Sequence, residues 1–251
     1  GDRIDPPLLG TLAAQGCCTV PVYKRPRAGI LATGSELVEV HQPIGGGTIR
    51  NSNRYVLEGV CRSAGLETVN LGIANDSVEE IAGRLLQGLA TCDVMFVTGG
   101  VSVGDFDVTP EAMERAGVEV LLRGIGLKPG GACAYGVKDG KTVFCLSGNP
   151  ASALTNFYAV ARPCLKKLAG RTDYGGTRTV VTLAQPFEKP SPNTRLLRGR
   201  LEMASGKLTM ALPGQGNALL HSAIGCDVMA IVPAGSPALS AGTVLEAFLI
   251  D

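Results

Sequence analysis

Three carboxylates each stand just beyond an apolar run. Glu36 closes Thr33-Gly34-Ser35-Glu36, Asp76 closes Ala74-Asn75-Asp76, and Asp107 ends the glycine-rich stretch Gly99-Gly100-Val101-Ser102-Val103-Gly104-Asp105-Phe106-Asp107. Gathered at one place, they form the hard oxygen donor set that Mg²⁺ prefers. Taken singly, each also reads as a helix cap or a solvated loop charge, and Asp105 as part of the approach to the next helix. The glycines let backbone N–H groups come close to phosphate oxygens. The stretch lacks both G-x-G-x-x-G and the P-loop lysine, so neither standard nucleotide fingerprint is present, and a plain turn is the competing reading. Lys128, in Leu127-Lys128-Pro129-Gly130, is a point charge beside a rigid turn and suits an oxyanion, although an ordinary surface lysine has the same look. Ser147-Gly148-Asn149-Pro150-Ala151-Ser152 opens a helix whose free N–H groups favour an anion, and capping by Asn149 and Ser152 accounts for it equally well. His41 and His221 have no carboxylate or cysteine at informative spacing, so a Ser-His-Asp arrangement is not supported.

These residues need elements to hold them. Ala28–Ala32, Glu67–Ile73, Asp93–Thr98, Val118–Ile125 and Thr142–Leu146 read as strands, the third so continuously apolar that both its faces must be covered. Between them lie three helices: one starting at Asn51, Ser52 or Asn53 and ended by Gly65, one opened by a capping box at Ser77-Val78-Glu79-Glu80, and one from Thr109-Pro110 to Ala116. A long helix runs from Asn149-Pro150 to about Leu168, with a kink expected at Pro163. The alternation predicts a doubly wound, mainly parallel α/β domain over 26–176. Ligands of such sheets bind outside the carboxyl ends of the strands, where all the polar segments above fall. Short β-like runs (Arg178–Leu183, Leu196–Glu202, Lys207–Ala211, Asp227–Val232, Val244–Ile250) separated by turn residues predict a small all-β, barrel-like domain over 177–251. Residues 1–25, with a helical stretch at Leu8–Gln15, are too few for a core and read as the tail of a region beginning upstream.

Composition narrows the function. Lysine plus arginine number 23 against 22 acidic residues, so bulk charge predicts neither a nucleic-acid nor a membrane partner. Tryptophan is absent and Phe and Tyr number only 6 and 5, too few for an aromatic base-stacking platform. No apolar run reaches membrane-spanning length. The eight cysteines form no C-x-x-C, which argues against a zinc or disulfide framework and for buried free thiols in a reducing cytoplasm.

The ordered segments Thr33–Leu37, Ile49–Arg54, Asn70–Ile73, Thr98–Asp107, Leu127–Gly130 and Ser147–Ala153 together resemble the molybdopterin molybdenumtransferases, the family of MoeA and of the E domains of gephyrin and its plant relatives. The resemblance covers about residues 8–251 and is strongest over 27–170. It implies a MogA-like α/β domain followed by a β-barrel domain, with two further N-terminal domains outside this chain. The implied reaction is Mg²⁺-dependent insertion of molybdate into adenylylated molybdopterin with release of AMP. A homodimer in the full-length protein, a cytoplasmic setting and a MogA-like adenylyltransferase partner are implied as well. It maps the catalytic carboxylates onto Asp107, Asp76 and Glu36, with Asp107 as metal ligand. It assigns cofactor binding to Thr33, Gly34, Asn51, Asn53, Gly99, Gly100, Ser102, Gly104, Lys128, Pro129, Gly130, Gly148, Asn149, Ser152 and Arg198, of which Lys128, Ser102, Ser152 and Arg198 would hold molybdate or the pterin phosphate. Three positions depart from the family pattern. Gly131 stands where a second lysine is usual, Ser147 where proline is usual, and Asn217 where serine is usual. The first and third leave room for a non-catalytic pterin- or nucleotide-binding or scaffold module. The adenylylation step of MogA-like single domains is a third reading, disfavoured by the appended β domain.

Overall fold

The computed structural model describes residues 1–101, 108–204, 207–216 and 218–250. After an isolated helix α1 (Pro6–Ala14), the chain builds two six-stranded sheets. The first is ordered β4-β1-β5-β9-β8-β6, from β1 (Arg27–Thr33), β4 (Glu67–Ala74), β5 (Val94–Thr98), β6 (Glu119–Arg123), β8 (Cys133–Lys138) and β9 (Lys141–Leu146). β4, β1, β5 and β9 run parallel, whereas β8 lies antiparallel between β9 and β6. A two-stranded flap, β2 (Leu37–Val38) against β3 (Ile49–Arg50), projects from the end of β1.

Helices cover both faces, which is why the central strands are apolar throughout. Leu31, Met95 and Val97 pack with α3 (Val78–Thr91) and α4 (Val108–Arg115). Ile30, Val94 and Phe96 pack on the other face with α2 (Asn53–Ser63), α5 (Pro150–Asn156) and α6 (Arg162–Leu168). There Phe96 stacks on Phe144 at 5.3 Å between centroids.

The second sheet contains β10 (Arg178–Leu183), β11 (Thr194–Ala204), β12 (Lys207–Ala211), β13 (Val228–Val232) and β14 (Val244–Leu249). Pairing of β12 with both β10 and β11 closes these five strands into a barrel around Leu197, Met210, Val228 and Ala230. The sixth strand is β7 (Leu127–Lys128), which leaves the α/β part of the chain to pair in parallel with β11 at Thr194 and Arg195.

Four local expectations need correction. β8 was not foreseen. It pairs with β9 across Asp139-Gly140, whose positive φ values of 49° and 75° make the tight hairpin turn. The capping box is half formed: Ser77 Oγ accepts from the Glu80 N–H, but Glu80 turns away to accept from the backbone and side-chain amides of Asn75. The kink at Pro163 is replaced by a π-helical turn at Phe157–Ala161, which takes up the irregularity before the proline is reached. Of the eight thiols, Cys61, Cys92, Cys133 and Cys145 are buried, but Cys17, Cys18 and Cys164 are exposed.

Candidate functional site

The chain leaves β1 toward β4 on one side and returns across the sheet to β5 on the other. The carboxyl ends of β1 and β5 therefore flank a topological switch point, where an open sheet leaves a crevice. A cavity of about 750 Å³ occupies it. Its wall includes Thr33, Gly34, Glu36, Asn51, Asn53, Asp76, Gly99, Gly100, Gly148 and Asn149 from the residues named by sequence.

Its floor is tight. Gly99 has φ +102°, and a Cβ there would stand 2.3 Å from the Thr33 carbonyl oxygen. Thr109 Oγ1 donates to the Gly99 carbonyl at 3.0 Å and occupies the place a Gly100 Cβ would take. Only glycine lets the backbone pass here.

Asp76 is oriented by Ser35, whose N–H and hydroxyl both donate to Oδ2, at 3.1 and 3.3 Å. Glu36 lies across Gly34, and both carboxylates are exposed to the cavity side of the molecule. At the start of α2, Asn51 Oδ1 accepts from the Arg54 N–H and so performs the capping that Ser52 does not. Asn53 Nδ2 donates to the Gly148 carbonyl at 2.9 Å, tying α2 to the loop after β9. Asn51 Nδ2 and Asn53 Oδ1 are buried with no partner among the described residues. Arg54 bridges Glu39 of the flap and Glu58 of its own helix, at 3.0 and 2.8 Å, and the Glu58 hydrogen bond raises its pKa.

Arg50 escaped the sequence assignment, although it lies inside the quoted Ile49–Arg54 segment. Among the described residues it is the one cation in the cavity wall, held by an Nε hydrogen bond to the Val40 carbonyl. Only its place within the Ile49–Arg54 segment could have pointed to it, since the flap that carries it to the cavity is set by tertiary placement.

Lys128, Pro129, Gly130, Ser152 and Arg198 are not in that wall. Lys128 is exposed on the barrel side, while Pro129, Gly130 and Ser152 are buried where the turn rests on α5. Arg198 is wholly buried in β11. Its Nη2 reaches the Gly214 and Gly216 carbonyls and Ser222 Oγ, while Nε and Nη1 have no partner among the described residues. Burial pushes its pKa down from the ordinary arginine range. Ser222 belongs to the 3₁₀ turn Leu220–Ala223, which packs against α5, so Arg198 lies behind the helix that opens at the cavity. Ser102, Gly104, Asp107 and Asn217 fall outside the described residues. No cluster of three or more metal-ligating side chains occurs among the described residues, and none of their helices is long and apolar enough to cross a membrane.

Comparison with known proteins places this architecture. Residues 29–167 match the family described as "Probable molybdopterin binding domain", which fixes the class of the α/β part. Residues 180–250 match the "MoeA C-terminal region (domain IV)". The chain belongs to the molybdopterin molybdenumtransferase (MoeA) family. Molybdopterin molybdenumtransferases of Staphylococcus aureus and Staphylococcus epidermidis are 31% identical over the whole chain, which spans 60% of their length. A molybdopterin biosynthesis MoeA protein of Pyrococcus horikoshii superposes with a TM-score of 0.85 at 27% identity, over 99% of this chain and 60% of its own. A molybdenum cofactor biosynthesis protein of Pyrococcus furiosus gives 0.74 at 21% identity, over 98% of this chain and 76% of its own, a likeness of fold.

Proposed function

We propose that this chain acts in molybdenum cofactor biosynthesis, inserting molybdate into adenylylated molybdopterin with release of AMP. The observation that carries the reading is the single cavity at the switch point, which gathers Glu36, Asp76, Arg50 and the Gly99–Gly100 floor. Its size suits a nucleotide-bearing ligand.

The donor set fits Mg²⁺. Asp76 has its Oδ2 engaged by Ser35, leaving Oδ1 for a ligand, and Glu36 lines the same cavity as a second hard oxygen donor. These two, with Asp107 outside the described residues, would hold the ion. Bound Mg²⁺ supplies neutralisation of charge on the phosphoryl oxygens.

The remaining chemistry belongs to the chain. The Gly99 N–H is spent on the Leu146 carbonyl, so the side-chain-free Gly99–Gly100 turn lets the phosphates come close while the Arg50 guanidinium orients them. Lys128, exposed beside its turn, supplies positive charge for the oxyanion substrate, and Arg198, buried with no carboxylate partner among the described residues, adds its field from behind α5 without touching the substrate. A molybdate oxygen attacks the pterin-side phosphorus. The bond from that phosphorus to the bridging oxygen breaks, and AMP departs with the bridging oxygen.

A non-catalytic binding module is the second reading, favoured by Gly131. A Cβ at this position would lie 2.5 and 2.6 Å from the Leu127 and Ile125 carbonyl oxygens, so the backbone itself leaves no room for a second lysine.

Calorimetric titration with AMP, with and without Mg²⁺, tests the cavity, using Asp76→Asn beside the wild-type chain. Metal-dependent binding weakened about ten-fold or more in the variant is expected. Equal binding by both proteins, indifferent to Mg²⁺, overturns the reading. Release of AMP from adenylylated molybdopterin only when molybdate is present separates the enzyme from the binding module.

A further inference from the structure

Beneath the Lys128-Pro129-Gly130 turn lies a polar contact that the scheme above does not use. Asn156, the last residue of α5, is completely buried. Its Nδ2 donates to the Gly130 carbonyl at 2.8 Å, and the Tyr135 hydroxyl on β8 donates to its Oδ1 at 2.9 Å. Gly130, with φ +97°, presses so closely on α5 that a Cβ would stand 3.0 Å from the Ser152 carbonyl oxygen and 3.2 Å from Asn156 Cβ. On its other side the turn is fixed by β7, whose Lys128 pairs with Arg195 of the barrel. The backbone that bears Lys128 is thus gripped between a barrel strand and one side-chain amide.

Such an amide has to be justified within an apolar helix packing, since its donor and acceptor would both be lost to water. Both are satisfied here: Nδ2 reaches the turn at Gly130, and the Tyr135 hydroxyl of β8 lies within hydrogen-bond distance of both Oδ1 and Nδ2, at 2.9 and 2.6 Å. Burial holds the Tyr135 phenol protonated, well above the usual tyrosine range, so it remains a donor. The π-helical turn begins at the next residue, and such irregular turns recur where a helix serves a site.

We propose that Asn156 is the positioning residue of the oxyanion-binding turn. Its amide fixes the Gly130 carbonyl, and through it the direction in which the Lys128 ammonium is presented, while the Tyr135 hydroxyl anchors the amide from the β8 side. The proposal rests on the reading of Lys128 as an oxyanion ligand.

The test titrates the chain with molybdate and, separately, with Mg²⁺ and AMP, comparing wild type, Lys128→Ala, Asn156→Leu and Tyr135→Phe. Asn156→Leu should weaken molybdate binding about ten-fold and Tyr135→Phe about three-fold, both keeping AMP affinity within about two-fold. A merely structural lesion lowers both affinities together, and that result overturns the proposal, as does unchanged molybdate affinity in both variants. Should Asn156→Leu fail to fold, Tyr135→Phe carries the comparison. Absent molybdate binding, or binding indifferent to Lys128→Ala, refutes instead the reading of Lys128. Amide hydrogen exchange over residues 126–132 then decides the positioning role alone. Faster exchange confined to that segment in Asn156→Leu supports it, and unchanged exchange overturns it.

Discussion

Replacement of Gly99 by alanine is the sharpest test of how the cavity floor is built. Two costs add. A residue with a Cβ at φ +102° enters a left-handed conformation, at about 1–2 kcal/mol. The new Cβ also arrives 2.3 Å from the Thr33 carbonyl oxygen and 2.6 Å from Thr33 Oγ1, and opening that contact costs about 1–3 kcal/mol more. The sum of about 2–5 kcal/mol corresponds to a fall in unfolding midpoint of about 10 °C for a chain of this size. Gly72 supplies the control. Its φ is +80°, but nothing lies within 4 Å of a Cβ built there, so Gly72→Ala bears the conformational cost alone, about 3–5 °C. Thermal unfolding followed by calorimetry, with AMP titration at 25 °C, measures both. Gly99→Ala should lose AMP affinity and Gly72→Ala should keep it. Equal midpoints for the two variants, or full AMP affinity in Gly99→Ala, would show that the close approach to Thr33 is not what shapes the floor.

Three further outcomes follow from the same geometry. Gly131→Lys should lower the unfolding midpoint without tightening molybdate binding, because the added Cβ meets two backbone carbonyls; a tighter complex would show that only a side chain was lacking. Arg198→Met should weaken molybdate binding through the lost field and lower the midpoint, since the Gly214 and Gly216 carbonyls and Ser222 Oγ lose a buried donor; unchanged molybdate affinity refutes this. The buried Cys61 thiol is pushed up to about 12, chiefly by burial, so the folded state keeps a proton that the unfolded state releases above about pH 8.5. Its contribution is complete below that pH and is lost as pH rises toward about 12, so urea midpoints of Cys61→Ala should fall less steeply than wild type over this window, by up to about 1.4 kcal/mol per pH unit.

The α/β part was legible because two simple rules act in concert. Strands covered on both faces read as unbroken apolar runs, as at Val94–Val97, and polar residues collect at their carboxyl ends. That combination singled out Glu36 and Asp76 at strand ends, and the order β4-β1-β5 brings both to one cavity. β8 escaped because Cys133–Val137 mixes small and aromatic residues without alternation, although Asp139-Gly140 was a hairpin signal in plain view. Gly131 read as a lysine lost, whereas the carbonyls of Ile125 and Leu127 decide that position, and no local pattern reveals how close a distant turn will fold back. Arg50 was passed over because its role depends on the flap curling over the sheet edge, a matter of tertiary placement.

Strand β7 gives the two domains a shared piece of backbone. A barrel joined only by the connection after α6 could swing as a separate body. Here the Thr194–Arg195 segment is hydrogen-bonded to Leu127–Lys128, and Arg162 adds a bond to the Leu249 carbonyl at 2.9 Å. Any rotation of the barrel must therefore drag the turn that carries Lys128 or break its ladder. The barrel works as a lever on that turn, so a contact made far out on its surface would be felt where Lys128 is presented.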